Sequence, residues 1–277
     1  MKSAIGFAKR FVVPFMALTL CLGGAAARAD VDPDTGLDTT PTDWVLKKKD
    51  KRRNIEMYLK QEEGKRLKSF HLVTEIAAEP EAIAAIFTDF DNFCAWVFRC
   101  GQVKVLQKIS DTDFILYMVH TAPFGIEDRD TILRGRSIKD PKNKAILIQT
   151  WAMPRHLPDE KGRVRMTHES MEWRFTPNKE TGKFKLELTG YADPGGKIPG
   201  WVANLVQLDA PYYSVRGLMR ILETPKYDNP NLPKDVADLF RWGLQVNGID
   251  PAQSAEIFGR KKREGADGEK ADAPKQL

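Results

Sequence analysis

Residues 193–222 read DPGGKIPGWVANLVQLDAPYYSVRGLMRIL, and this stretch decides the fold. Asp193-Pro-Gly-Gly196 is turn chemistry that stops the element before it. Pro199 then opens a helix, since its fixed φ suits a first turn and its missing N–H would have no partner there anyway. Trp201, Leu205, Leu208, Tyr212, Val215, Met219 and Leu222 follow at steps of three and four, which puts all of them on one helical face. Pro211 sits inside the stripe, where it must kink the helix or loosen one turn.

Upstream the period changes from helical to extended. Strand-like runs occupy 103–109, 114–120, 129–139, 145–153, 164–175 and 184–192. Turn residues separate them, as in Ser110-Asp-Thr-Asp113, Asp140-Pro-Lys-Asn143 and Asn178-Lys-Glu-Thr-Gly182. Successive strands joined by short turns predict an antiparallel meander. Residues 67–76 read as a further strand, and Pro80 begins a short helix over 80–87. Ile55, Met57 and Leu59 alternate with polar residues; this fits a strand, with a helix as the alternative because only Ile55 is β-branched. Past Pro230, Val236, Leu239, Phe240 and Leu244 predict a short helix, and 251–258 another.

The two ends differ from the body. The chain of 277 residues carries 43 Lys+Arg against 38 Asp+Glu. The first 29 residues hold four of those bases and no acid, and residues 260–277 hold six bases and four acids. The body between is therefore close to neutral, which argues against a nucleic-acid face. Lys2, Lys9 and Arg10, an apolar run over 11–22 and the small residues ending Ala27-Arg28-Ala29 form the pattern of a secretory signal peptide. The alternative is an uncleaved anchor. Domain boundaries follow: a signal peptide at 1–29, a flexible leader at 30–43, a main folded domain at 44–224, an extension with short helices at 225–259 and a disordered charged tail at 260–277. Export to the periplasm or beyond leaves Cys94 and Cys100 in an oxidising compartment, where two cysteines so close in sequence are expected to pair; two free buried thiols are the alternative.

No P-loop, dinucleotide glycine fingerprint, H-E-x-x-H, C-x-x-C or G-x-S-x-G appears. The spacings of His71, His120, His156 and His168 suit no metal site, so neither a metal nor another cofactor is expected. Arg129, in Glu127-Asp-Arg-Asp130, heads a strand in which Asp128 and Asp130 point to the opposite side. Either Arg129 faces inward with a partner from another strand, or it forms a surface salt bridge. His168 and Glu172 share one strand face, and Trp173 lies on the other.

In order and spacing, several motifs resemble START domains, the steroidogenic-acute-regulatory-related lipid-transfer family, here in an exported bacterial form. They are Trp96, Val103-Lys-Val-Leu-Gln-Lys-Ile109, Pro123-Phe-Gly-Ile-Glu-Asp-Arg-Asp130, Gly162-Arg-Val-Arg165, His168 and Asp193-Pro-Gly-Gly-Lys-Ile-Pro-Gly-Trp201. The resemblance spans about Trp44 to Leu222. It implies an α+β, helix-grip (START/Bet v 1-like) fold: a curved antiparallel sheet around a long C-terminal helix, enclosing an apolar cavity for one lipid. It places a mobile loop at 154–163, the family's R-D arginine at Arg129 and its cavity histidine at His168. The glutamate that pairs with that arginine in sterol carriers aligns with Gln102, which can bond Arg129 but not neutralise it. Glu172 or an acidic ligand head would then complete the pair. Tyr117 and Trp151 are expected in the cavity wall, and Trp201, Leu205, Leu208 and Tyr212 on its helix side.

The expected function is an exported, non-enzymatic, monomeric lipid carrier. It would hold a fatty acid, phospholipid or sterol, touch membrane surfaces transiently and bind no nucleic acid. A polyketide cyclase or aromatase of the wider superfamily, or a lipid-sensing scaffold, is the alternative. Edman sequencing of the exported protein should begin at or near Asp30; an intact Met1 in the membrane fraction would instead establish an anchor.

Overall fold

The computed structural model describes residues 31–123 and 125–259. The expected signal peptide and charged tail lie outside them. Ten strands form one sheet: β1 Val45–Asp50, β2 Ile55–Lys60, β3 Ser69–Ile76, β4 Cys100–Ser110, β5 Asp113–His120, β6 Asp128–Asp140, β7 Ala145–Ala152, β8 Arg163–Arg165, β9 His168–Asn178 and β10 Lys183–Asp193. Their spatial order is β1-β2-β3-β10-β9-β7-β6-β5-β4, antiparallel throughout, with β8 added parallel to β6. The predicted meander is thus present from β4 to β10. Ile55, Met57 and Leu59 are buried along β2, which settles that segment as a strand.

Helix α1 (Pro80–Thr88) and a 3₁₀ segment (Phe90–Ala95) connect β3 to β4. After β10 the chain forms α2 (Gly200–Asn204), a π-helical turn (Leu205–Asp209) and α3 (Ala210–Leu222). The loosened turn lies just before Pro211, whose ring and missing N–H oppose regular α bonding there. Gln207, buried in the widened turn, compensates with its side chain: Nε2 donates to the Ala203 carbonyl at 2.9 Å, and Oε1 accepts from the Lys68 N–H at 2.9 Å.

Three expectations need correction. The leader is ordered from residue 31: Asp32 accepts from both the Thr35 N–H and its hydroxyl and lies 3.6 Å from Arg66 Nε, while Leu37 packs beside Ile198 and Val202. The run 164–175 is not one strand. It breaks at Met166 and Thr167, because β8 follows β6 and the Met166 N–H bonds the Asp130 carbonyl before the chain turns into β9. The extension after 224 has its expected short helices, but they belong to the main core rather than lying outside the domain. Helix α4 (Lys234–Val246) buries Val236, Leu239, Phe240 and Leu244 in the main core, and Phe258 of α5 (Ser254–Phe258) stacks on Phe184 at 4.9 Å.

Among the described residues, no helix is long and apolar enough to cross a membrane. The lower half of the long helix packs tightly. Val215, Leu218, Ile221 and Leu222 lie in the core with α1, and Gly217 lets the Trp96 backbone approach so closely that a Cβ would sit 2.3 Å from its carbonyl oxygen. Gly217→Ala should therefore destabilise the protein by about 1–3 kcal/mol through overpacking, despite alanine's advantage of ~1 kcal/mol as a helix former. A thermal melt would show a lowered Tm; an unchanged or raised Tm would mean that the Trp96 loop yields freely.

Candidate functional site

The upper half of the long helix stands away from the sheet, and an apolar cavity fills the gap. The volume open to the centre of a water-sized sphere is about 180 Å³. Alternation decides which strand residues face it. Leu116, Met118 and His120 of β5, Arg129 and Leu133 of β6, and Glu169, Met171 and Trp173 of β9 all line the cavity. Val202, Leu205, Val206, Ala210, Pro211 and Ser214 form the helix side. Phe87, Phe93, Trp96 and Phe98 close it from α1 and the 3₁₀ segment, with edge-on ring contacts such as Phe87–Trp173 at 5.3 Å. The Cys94–Cys100 disulfide, with Cα atoms 4.8 Å apart, ties together the ends of the loop carrying Trp96, Val97 and Phe98. That loop is docked on α3, where the Ser214 hydroxyl accepts from the Phe98 N–H at 3.0 Å and Phe98 stacks on Tyr213.

Arg129 faces inward and is only 6% exposed. Its Nε donates to the Pro194 carbonyl at 3.3 Å, and Nη1 donates to the Glu127 carbonyl. No carboxylate among the described residues forms an ion pair with it. Burial lowers its pKa from the ordinary value, Glu127 and Asp128 oppose that, and Arg66 adds to the lowering. A guanidinium stays charged throughout. The neighbouring Asp130, fully buried on the other face, is held by Arg165 in a two-pronged pair: Nε–Oδ1 at 3.0 Å and Nη2–Oδ2 at 2.8 Å. Arg165 also donates to the carbonyls of Pro154, Leu157 and Pro158, so this pair fastens the loop expected to be mobile.

Gln102 does not meet Arg129. It is exposed on the edge strand β4, where the register slips between Cys100 and Gln102. His168 is exposed and bonds only the adjacent Thr167 hydroxyl at 2.9 Å. Glu172 lies on the outer face between Gln149 and Arg174. Tyr117 is also on the outer face, its hydroxyl accepting from Arg163 at 2.6 Å, and Trp151 lies under Arg134. On the helix only Leu205 lines the cavity as expected. Trp201 is 52% exposed, Leu208 packs on the main core, and Tyr212 donates its hydroxyl proton to Asp50 at 2.8 Å.

Sequence reasoning missed the remaining polar lining. Glu169, 5% exposed, presents an Oε2 with no hydrogen-bond partner. His120 Nε2 is likewise without one, and the buried Thr131 hydroxyl lies within hydrogen-bonding reach of the Glu169 carboxyl. Burial pushes the Glu169 carboxyl above its usual range, against the pull of nearby His120 and Thr131. The signal was present for His120, which alternates with Leu116 and Met118. Glu169 was hidden by the break at Met166. Among the described residues, no cluster of His, Cys, Asp and Glu has the makings of a metal site.

A curved antiparallel sheet gripping a long helix across an apolar cavity defines a helix-grip protein. Its fold is that of the STAR-related lipid transfer (START) domain structures. A STAR-related lipid transfer protein fragment from Xanthomonas axonopodis superposes with a TM-score of 0.59 at 25% identity, covering 65% of this chain and 99% of that one. Human STARD10 gives 0.56 at 16% identity, covering 72% and 79%, and shows the same fold. An uncharacterized protein of Pseudomonas aeruginosa is 29% identical over 181 residues, which is 65% of this chain and 87% of that protein. No family model matches the sequence.

The pKa direction of Glu169 fixes a stability trend. A carboxyl whose folded pKa is raised binds more protons folded than unfolded, so stability is lost as pH rises from the unfolded value through the folded one. Glu169→Gln should raise the Tm of ligand-free protein at pH 7–8 and flatten its decline with pH above ~4.5. A lower Tm at pH 7–8 would show that the carboxylate is stabilised in place.

Proposed function

We propose that the protein is an exported carrier that binds one hydrophobic molecule in this cavity and passes it between membranes without altering it. The observation that carries the reading is the cavity itself, lined mainly by aromatic and aliphatic side chains. Burying apolar ligand surface there is worth about 25 cal/mol per Å², so a long hydrocarbon would be held firmly. The lipid-binding fold and the STAR-related lipid transfer neighbours support it. Export follows from the tripartite N-terminus, and an oxidising compartment suits the Cys94–Cys100 bond. Trp201, exposed beside cavity-lining Val202, is suited to transient contact with a bilayer interface. The carrier acts as a monomer in this reading.

One observation favours a second reading, an enzyme of the wider superfamily: His120 and Glu169 place an imidazole and a carboxyl in the same cavity. Native mass spectrometry of protein purified from its own host separates the two. A carrier should retain one lipid per chain and return it unchanged after incubation with host lipid extract. A chemically altered ligand would establish the enzyme, and ligand-free protein after incubation would overturn the carrier.

A further inference from the structure

Residues 47–53 read KKKDKRR, six bases and one acid, inside a body that is close to neutral overall. They span the end of β1 and most of the turn into β2. β1 is the outermost strand of the sheet, so its second edge has no strand beside it. Its register slips between Leu46 and Lys48, which adds one residue, Lys47, to that edge. Two of the bases are balanced locally. Lys49 pairs with Glu56 of β2 at 2.5 Å, and Arg53 pairs with Asp50 at 3.2 Å. Lys47 and Lys51 are exposed, and neither forms an ion pair among the described residues. Lys48 lies over the ring of Tyr212 at 3.6 Å, and Arg216 of α3 stands 5.7 Å from the same ring. The face of the helix beside β1 therefore continues the positive edge instead of neutralising it. Immediately before the bases, Trp44, Val45 and Leu46 are 40%, 42% and 46% exposed.

We propose that the free edge of β1, from Trp44 through the turn into β2, docks on a bilayer surface that carries anionic phospholipid head groups. The inference rests on the carrier reading for the purpose of the contact, while its chemistry is independent of what fills the cavity. Charge complementarity and the order of the residues carry it. Lysines on an open strand edge do block pairing with another chain. An edge that needed only guarding would not leave three consecutive apolar side chains in water beside them. A bilayer surface takes both groups at once. Indole and aliphatic side chains enter the boundary between head groups and hydrocarbon, and lysines lay their stems along it and put their ammonium groups among the phosphates. A nucleic acid offers the phosphates without the apolar layer and would leave Trp44, Val45 and Leu46 exposed. Because β1 is an edge strand, a flat surface against it meets side chains from both of its faces, so the alternation of Leu46 and Lys48 does not divide the patch.

The test is vesicle binding by detergent-free protein purified from its own host. The probes are vesicles of phosphatidylcholine alone and vesicles with about one-third phosphatidylglycerol, at about 0.1 M and about 1 M salt. Wild type should bind the anionic vesicles about tenfold or more tighter at the lower salt. The difference should shrink at the higher salt, where the screening length falls from ~10 Å to ~3 Å. Lys47→Gln/Lys51→Gln should weaken binding to anionic vesicles about tenfold or more, since each cation at such a surface is worth about fivefold. Binding to neutral vesicles should stay within about twofold. Val45→Ser/Leu46→Ser should weaken binding to anionic vesicles at both salt levels. All four positions are exposed, so the variants leave the core intact. The bases of residues 260–277 are present in wild type and variants alike, so the variants isolate β1. Equal binding of wild type to both vesicles, or unchanged affinity in either double variant, would overturn the docking edge. So would self-association of Lys47→Gln/Lys51→Gln with vesicle binding unchanged, which would make the lysines edge guards. Tighter binding to a DNA duplex than to anionic vesicles would also overturn it. None of these outcomes touches the carrier reading, which native mass spectrometry of the retained ligand decides separately.

Discussion

Everything at the site depends on the long helix meeting the rest of the fold closely at one end and standing off at the other. Gly217 admits the Trp96 backbone at a distance no side chain would permit, so α3 is clamped to the loop above the sheet. At the other end Pro211 and the π turn break regular helical bonding, and Gln207 repairs the frayed polar groups. A regular, uniformly apolar helix would be drawn against the sheet along its whole length, because close packing is the favoured state of an apolar interior. The irregular half instead presents Val202, Val206 and Ala210 across open space. The cavity is thus a consequence of where packing succeeds and where backbone chemistry interrupts it.

The same division explains how much could be read in advance. The strands were legible because alternation and turn residues are local, and each of β4 to β7 and β10 matches its predicted run closely. The helix and its disturbance at Pro211 were legible for the same reason. Arg129 was legible as an ambiguous residue, and the fold resolved it as inward. Several errors at the site, though not those at Tyr117, Trp151 and Trp201, share one cause: a face assignment carried across a point where the chain loses or gains a residue. The slip between Cys100 and Gln102 turns Gln102 outward, since a bulge reverses strand parity beyond it. The break at Met166 and Thr167 puts His168 outside and Glu169 inside. The π turn accommodates one extra residue, so a stripe counted at three and four residues leaves the cavity face after Leu205. None of these insertions has a distinctive local composition, which is why periodicity alone passed over them.

Two arginines flanking the same stretch of β6 illustrate how environment assigns opposite roles to one side-chain type. Arg165 finds the buried Asp130 and three loop carbonyls, and its donors are spent on holding the 154–162 segment to the sheet. A pair so enclosed fixes geometry more than it adds stability, since desolvating both charges offsets much of their attraction. Arg129, one residue from Asp130 but on the cavity side, has no such acid. The carboxylates of its neighbours Glu127 and Asp128 do not pair with it: Asp128 accepts from the Ala122 N–H at 2.9 Å, and Glu127 contributes only its backbone carbonyl. Strand alternation on β6 therefore puts Asp130, with Arg165 of β8 paired to it, on one face and Arg129, held by backbone carbonyls, on the other.

An apolar cavity with polar groups spread evenly over its wall would accept a ligand in many orientations. Here the unpartnered polar atoms include His120 Nε2, Glu169 Oε2 and the indole N–H of Trp96, whose ring stands with those of Phe87 and Trp173. A ligand that is apolar throughout would leave these atoms as unsatisfied as they are in the empty protein. A ligand with a single polar end could satisfy them and would then be held in one direction, since an unmade hydrogen bond in an apolar interior is costly. In a cavity of this make-up, polar groups would act chiefly on which ligand is preferred, and the extent of apolar burial on how firmly it is held.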